Sequence, residues 1–139
     1  MKKRRLLNIT ILILICLLTS CANNEFNTNY KHFKESYVLA TDFVEKDNDS
    51  LKALKKMDIT AVEAELKKLE EIMDKMDTES KSKNEEGIYD NVKSFYQEVE
   101  FLLYAAKNIE TLSTDEKIKV DTKILLAIMH RKSIEEGEV

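Results

Sequence analysis

The 139-residue sequence has no proline, no tryptophan and only two glycines, Gly87 and Gly137. A β-rich domain of this length needs many tight turns, and Gly and Pro make most of them. Their scarcity points away from a sandwich or barrel and towards a few long helices with short connections. It also rules out a phosphate-cradling glycine loop and a strand-to-helix nucleophile elbow. Cysteine is limited to Cys16 and Cys21, and histidine to His32 and His130. The Glu-x-x-His pairs of a di-iron bundle are missing, because Asn29 and Ala127 stand at the glutamate positions. No HExxH segment occurs. Both histidines are therefore read as solvated, and neither a metal nor another cofactor is expected. Carboxylates are plentiful but spread along helix faces, with no pair set apart for acid–base work. The expectation is a protein that is not an enzyme.

Charged residues make up 35% of the chain and are interleaved with aliphatics, as on amphipathic helices. The net charge of −4 conceals an asymmetry. Lys2, Lys3, Arg4 and Arg5 lie in a segment without acids. Removing that segment leaves 18 basic against 26 acidic residues, a net of −8. A phosphate-binding surface needs clustered Lys and Arg. Nucleic acid and anionic headgroups are thus not expected as partners, and neither is a small molecule.

The first 21 residues read MKKRRLLNITILILICLLTSC. A cationic stretch is followed by Leu6 to Leu18, apolar except for Asn8 and Thr10. At about 1.5 Å per residue this run is too short to cross a hydrocarbon layer about 30 Å thick, and it has the length of a signal-peptide core. It ends in Leu18-Thr19-Ser20-Cys21, which resembles the lipobox of bacterial lipoproteins. The resemblance covers these 21 residues. It implies cleavage between Ser20 and Cys21, transfer of a diacylglyceryl group to the Cys21 thiol, and N-acylation of the new terminus, with palmitate among the acyl chains. Cys16 is the poorer candidate, since branched Ile15 would occupy the small-residue position before it. The implied organisation is a removed signal peptide at 1–20, a lipidated tether at 21–25 and a helical domain at 26–136. The implied location is the outward face of a cell membrane, or the outer membrane or cell surface if the host has two membranes. In composition the helical part is similar to small helical surface lipoproteins.

Periodicity divides the remainder into four helices. In helix A (Asn24–Lys46), Phe26, Tyr30, Phe33, Tyr37, Ala40 and Val44 share one face. Asp47-Asn48-Asp49-Ser50 is a turn rich in N-cap residues. In helix B (Leu51–Met76), Ile59, Val62, Leu66, Leu69, Met73 and Met76 form a seam that slips phase near Asp58. Either the helix kinks or restarts there, with Thr60–Glu63 as a capping box, or Leu51 and Leu54 serve another neighbour. Thr78 to Gly87 is polar and reads as a loop. Helix C (Glu86–Leu112) carries Ile88, Val92, Phe95, Val99, Leu102, Ala106 and Ile109. Helix D (Thr114–Glu136) opens on the capping box Ser113–Glu116, with Ile118, Leu125, Ile128 and Met129 facing one way and Val120, Ile124, Ala127 and Ile134 nearby. His130, Arg131 and Lys132 suit its negative end, and Gly137 is its expected stop.

The expected fold is all-α: an antiparallel up-down bundle of four helices, with a three-helix bundle as the alternative. All ten aromatics fall in helices A and C, whose faces are expected to meet the slimmer faces of B and D. Phe101 and Tyr104 lie opposite the helix C seam among charged residues. They are the candidate partner patch, since aromatics dominate interface hot spots. The expected role is a membrane-anchored interaction module that binds another protein. Its alternatives are a self-associating structural lipoprotein, a small-ligand or metal carrier, and a toxin-immunity lipoprotein.

Overall fold

The computed structural model describes residues 25–80 and 82–137, and all regular structure among them is helical. Ser20, Cys21 and the rest of the signal and lipidation sequence lie outside the described residues. Helix α1 covers residues 25–40 and a 3-10 turn covers Asp42–Glu45. Four helices follow: α2 (Ser50–Lys55), α3 (Ile59–Glu79), α4 (Lys83–Lys107) and α5 (Thr114–Glu135).

Helix α1 buries the face its periodicity predicts: Phe26, Phe33, Tyr37 and Ala40 are inaccessible to solvent. It stops short of Lys46 because Thr41 closes it. The amide and hydroxyl of Thr41 both donate to the Tyr37 carbonyl, at 3.0 and 2.7 Å. The bonds that follow, Val44 to Thr41 and Lys46 to Phe43, are tighter i→i+3 contacts. This turn sends the neighbours Phe43 and Val44 into the core together.

The phase slip near Asp58 is a break between two helices. Asp49 caps α2 by accepting from the Lys52 amide at 3.0 Å. Asp58 caps α3 by accepting from Ala61 N–H at 3.0 Å. The box expected at Thr60–Glu63 does not form, because Asp58 supplies the cap two residues earlier. Leu54 is buried where α2 packs on the 3-10 turn, α4 and α5, so it does serve a different neighbour.

The expected loop at Thr78–Gly87 is much shorter. Helix α3 runs to Glu79, and Ser82 and Glu85 form a reciprocal capping box that starts α4 at Lys83. Gly87 therefore lies inside α4, with open space where a side chain would project. Helix α4 ends at Lys107, earlier than Leu112, where the Asn108 side chain takes the Tyr104 carbonyl at 2.8 Å. Helix α5 begins on the predicted Ser113–Glu116 box, and Gly137 adopts φ +75° just beyond it.

Cross-helix contacts fix the topology. Asn29 reaches Glu79, and Ser36 reaches Glu65, so α1 and α3 are antiparallel. Lys107 pairs with Glu63 between α4 and α3. Tyr104 meets Glu116, and Glu98 meets His130, between α4 and α5. Arg131 donates to the Val38 carbonyl and ties α5 to α1. The four long helices thus run up, down, up and down, and α2 closes one end. The aromatics depart from expectation: the Tyr37 and Phe95 rings meet across the bundle, 5.0 Å apart. Among the described residues no helix is long and apolar enough to cross a membrane.

Candidate functional site

Helix α5 carries two apolar stripes rotated by about one residue, or 100°. The sequence sets Ile118, Leu125, Ile128 and Met129 on one face with Val120, Ile124, Ala127 and Ile134 nearby, and the structure shows which stripe is core. Val120, Ile124, Ala127 and Arg131 are buried, and Ile128 is half-buried. Ile118, Leu125 and Met129 are 59%, 59% and 58% exposed. Arg131 ends the core stripe with a cation and so disguises it. Its guanidinium donates to the Val38 carbonyl and to Glu45 at 3.2 Å, and reaches Thr41 Oγ1 at 3.5 Å. A buried cation is tolerated when it is paired and hydrogen-bonded in this way. Read by hydropathy alone, Arg131 belongs to a solvated helix end.

The outer stripe is continuous. Ile118, Thr122, Leu125 and Met129 follow one another at steps of four, three and four, and all are exposed. No charged residue interrupts this face between Asp121 and Lys132. On one side it borders an open groove of about 380 Å³, floored by Val44, Ile124 and Ile128 and edged by Asp47 and Asp121. A helix apolar on both faces is ordinarily buried on both.

Phe101 and Tyr104, the patch predicted from sequence, are brought together with ring centroids 6.3 Å apart. Helix α5 already engages both. The Lys119 ammonium sits 4.2 Å from the centre of the Phe101 ring, and Tyr104 donates to Glu116 at 3.1 Å. That hydrogen bond and the Glu116 charge raise the Tyr104 phenol above its usual range. Tyr104 remains 48% exposed, whereas Phe101 is half-buried against the core.

A polar cluster that sequence reasoning missed lies behind α5. Glu98 of α4 is almost completely buried and accepts from the Tyr37 hydroxyl at 2.5 Å. His130 stacks on Phe95, with ring centres 4.1 Å apart, and its Nδ1 lies 3.4 Å from the same Glu98 oxygen. His130 is thus only partly solvated, contrary to expectation, while His32 is exposed. Burial, together with the Glu98 charge and hydrogen bond, pushes the Tyr37 phenol far above its ordinary value. A signal for this cluster did exist. Glu98 sits directly before Val99 in an otherwise apolar seam, and only a bonded carboxylate is stable there. Chemically, the arrangement satisfies a buried carboxylate. The groove beside α5 and the two shallow grooves along α1 are lined by other residues.

Among the described residues, no three or more His, Cys, Asp or Glu side chains are placed to hold a metal ion. No protein-family model matches the chain, and neither a curated protein nor a solved structure is significantly similar to it.

Proposed function

We propose that this chain is a lipid-anchored interaction module of a bacterial cell envelope, without enzymatic activity of its own. Residues 1–20 direct export and are removed at the Ser20–Cys21 bond. Cys21 carries the lipid, and the bundle is held on the outward face of the membrane. The lipobox-like segment supports the anchoring. Two acyl chains give stable attachment, each buried methylene contributing about 0.8 kcal/mol. The observation that carries the interaction role is the exposed stripe Ile118, Thr122, Leu125 and Met129 on α5, which holds three of the five exposed large hydrophobic side chains among the described residues. Exposed apolar patches of this kind mark contact surfaces.

Helix α1 is formed by residue 25, and only three residues lie between that residue and Cys21. The four Cα–Cα steps span at most about 14 Å. The end of the bundle that carries Glu79 and Glu135 would therefore sit close to the headgroups, with the α5 face alongside. Intact-mass measurement of the protein from its own cells, together with Cys21→Ser, tests the anchor. The expected mass is that of residues 21–139 plus acyl groups, and the variant should leave the membrane fraction. An unmodified Cys21 preceded by residues 1–20 would overturn the reading.

A second reading, self-association in the membrane, is favoured by the order of residues along the same α5 face.

A further inference from the structure

We infer that the outer face of α5 is a homodimer seam, and that its partner is the same face of a second copy running antiparallel. This inference rests on the interaction-module reading and names its partner. The exposed residues Asp115, Ile118, Thr122, Leu125, Met129 and Lys132 recur at steps of three and four. That is the spacing of the a and d positions of a coiled-coil seam. Four of the six are uncharged and form the middle, with one charge of each sign at the ends.

The order of these residues decides the direction. In an antiparallel pair each a position faces a d position of its partner. With the two-fold axis between Thr122 and Leu125, Ile118 packs against Met129 and Thr122 against Leu125. Asp115 then meets Lys132, twice, at the two ends of the seam. Every layer is self-complementary, as an isologous two-fold interface requires. An in-register parallel pair would instead set Asp115 against Asp115 and Lys132 against Lys132. Like charges in contact disfavour it. Lys132 is available for this role, since its contact to Glu136 is a loose, exposed 3.8 Å pair. Beside the seam, the antiparallel arrangement places Asp121 next to Ile128, and Lys119 next to Leu126, so no like charges meet there either.

The seam spans about 27 Å of helix and stays below a standard interface in area. The association is accordingly weak in solution. Because the copies run antiparallel, their residue-25 ends lie at opposite ends of the seam, so both reach one membrane with the helix axes along its surface, where the concentration of copies favours pairing.

The test uses two differently tagged copies of the full-length chain expressed together in the native membrane. One carries Thr122→Cys and the other Leu125→Cys, and an oxidant is added. A second pairing combines Ile118→Cys with Met129→Cys. Chains without added cysteine give the background from Cys16 and Cys21. Mixed-tag cross-links are expected for both pairings, at least tenfold stronger than for Asp115→Cys with itself or Lys132→Cys with itself. Asp115→Lys, read with the Thr122 and Leu125 pair, should lower cross-linking several-fold, and adding Lys132→Asp should restore it. A parallel pair would not distinguish the single from the double exchange. Background-level cross-linking, stronger self-pairs at 115 and 132, or cross-links to a different protein would each overturn the dimer. The anchor is read separately, by the Cys21 mass. A chain that is lipidated and does not cross-link discards the dimer and keeps the lipoprotein. A chain that cross-links with Cys21 unmodified does the reverse.

Discussion

The inner and outer faces of α5 are both largely apolar and lie in opposite environments. Inside are Val120, Ile124, Ala127 and Arg131; outside are Ile118, Leu125 and Met129. By hydropathy the outer face is the better core. What separates them is a single cation with well-placed acceptors. Arg131 finds the Val38 carbonyl, Thr41 and Glu45 where α1 gives way to the 3-10 turn. That pairing goes with the burial of Val120, Ile124 and Ala127, and the more apolar stripe is left in water. A helix face is thus assigned by where its polar groups can be satisfied as much as by where its apolar groups accumulate.

The sharpest way to break this comparison is to truncate adjacent residues on the two faces. Ile124→Ala should lower the unfolding free energy by about 2–4 kcal/mol, the range for opening a cavity at a buried aliphatic. Chemical denaturation of the two variants side by side reads the contrast. If Leu125→Ala were equally costly, the two faces would be wrongly assigned.

The next largest effect is expected at the cluster against which α5 rests. Tyr37→Phe strips the buried Glu98 carboxylate of its close donor and should cost about 1–3 kcal/mol. It should also change the alkaline limb of stability. Burial and the Glu98 charge keep the Tyr37 proton in the fold, whereas an unfolded tyrosine loses it near pH 10. Above that pH the unfolded state binds fewer protons than the native state, so stability falls as pH rises. Thermal melts between pH 9 and 11 should therefore fall less steeply for the phenylalanine variant.

Ser113→Ala removes a cap that serves both faces alike, and a loss of about 1 kcal/mol is expected. It should leave the relative ranking of Ile124 and Leu125 unchanged, which a double-mutant measurement would sharpen. The smallest effect is expected from Leu125→Ser in dilute protein, within about 0.5 kcal/mol of the parent.

Much of the fold is legible in the sequence. The spacings of Phe26 to Ala40 and Ile88 to Ala106 report helices with a buried face, although the same pattern runs on past the true ends at residue 40 and Lys107, and the Ser113–Glu116 box marks a helix start from local chemistry alone. The loop at Thr78–Gly87 misleads because its polar composition masks Ser82 with Glu85, the same box as Ser113 with Glu116, and because its Glu and Lys residues are good helix formers. Helix α5 misleads for the converse reason: its apolar surplus hides which stripe is the core. Glu98 stands out by its place beside the apolar seam, but its partner His130 does not, because the two are 32 residues apart. Phe101 and Tyr104 lie side by side as their spacing on one helix dictates, and the Lys119 and Glu116 that engage them lie one helix away.

The row of ties along α1 has a mechanical consequence. Asn29, Ser36, Tyr37 and Val38 each join α1 to a different place on its neighbours: Glu79, Glu65, Glu98 and Arg131. A force applied at residue 25 and directed along the helix axis strains all four contacts at once, in shear, and does not peel them apart one by one. Traction from the N-terminal side is therefore spread through three partner helices before any single contact yields.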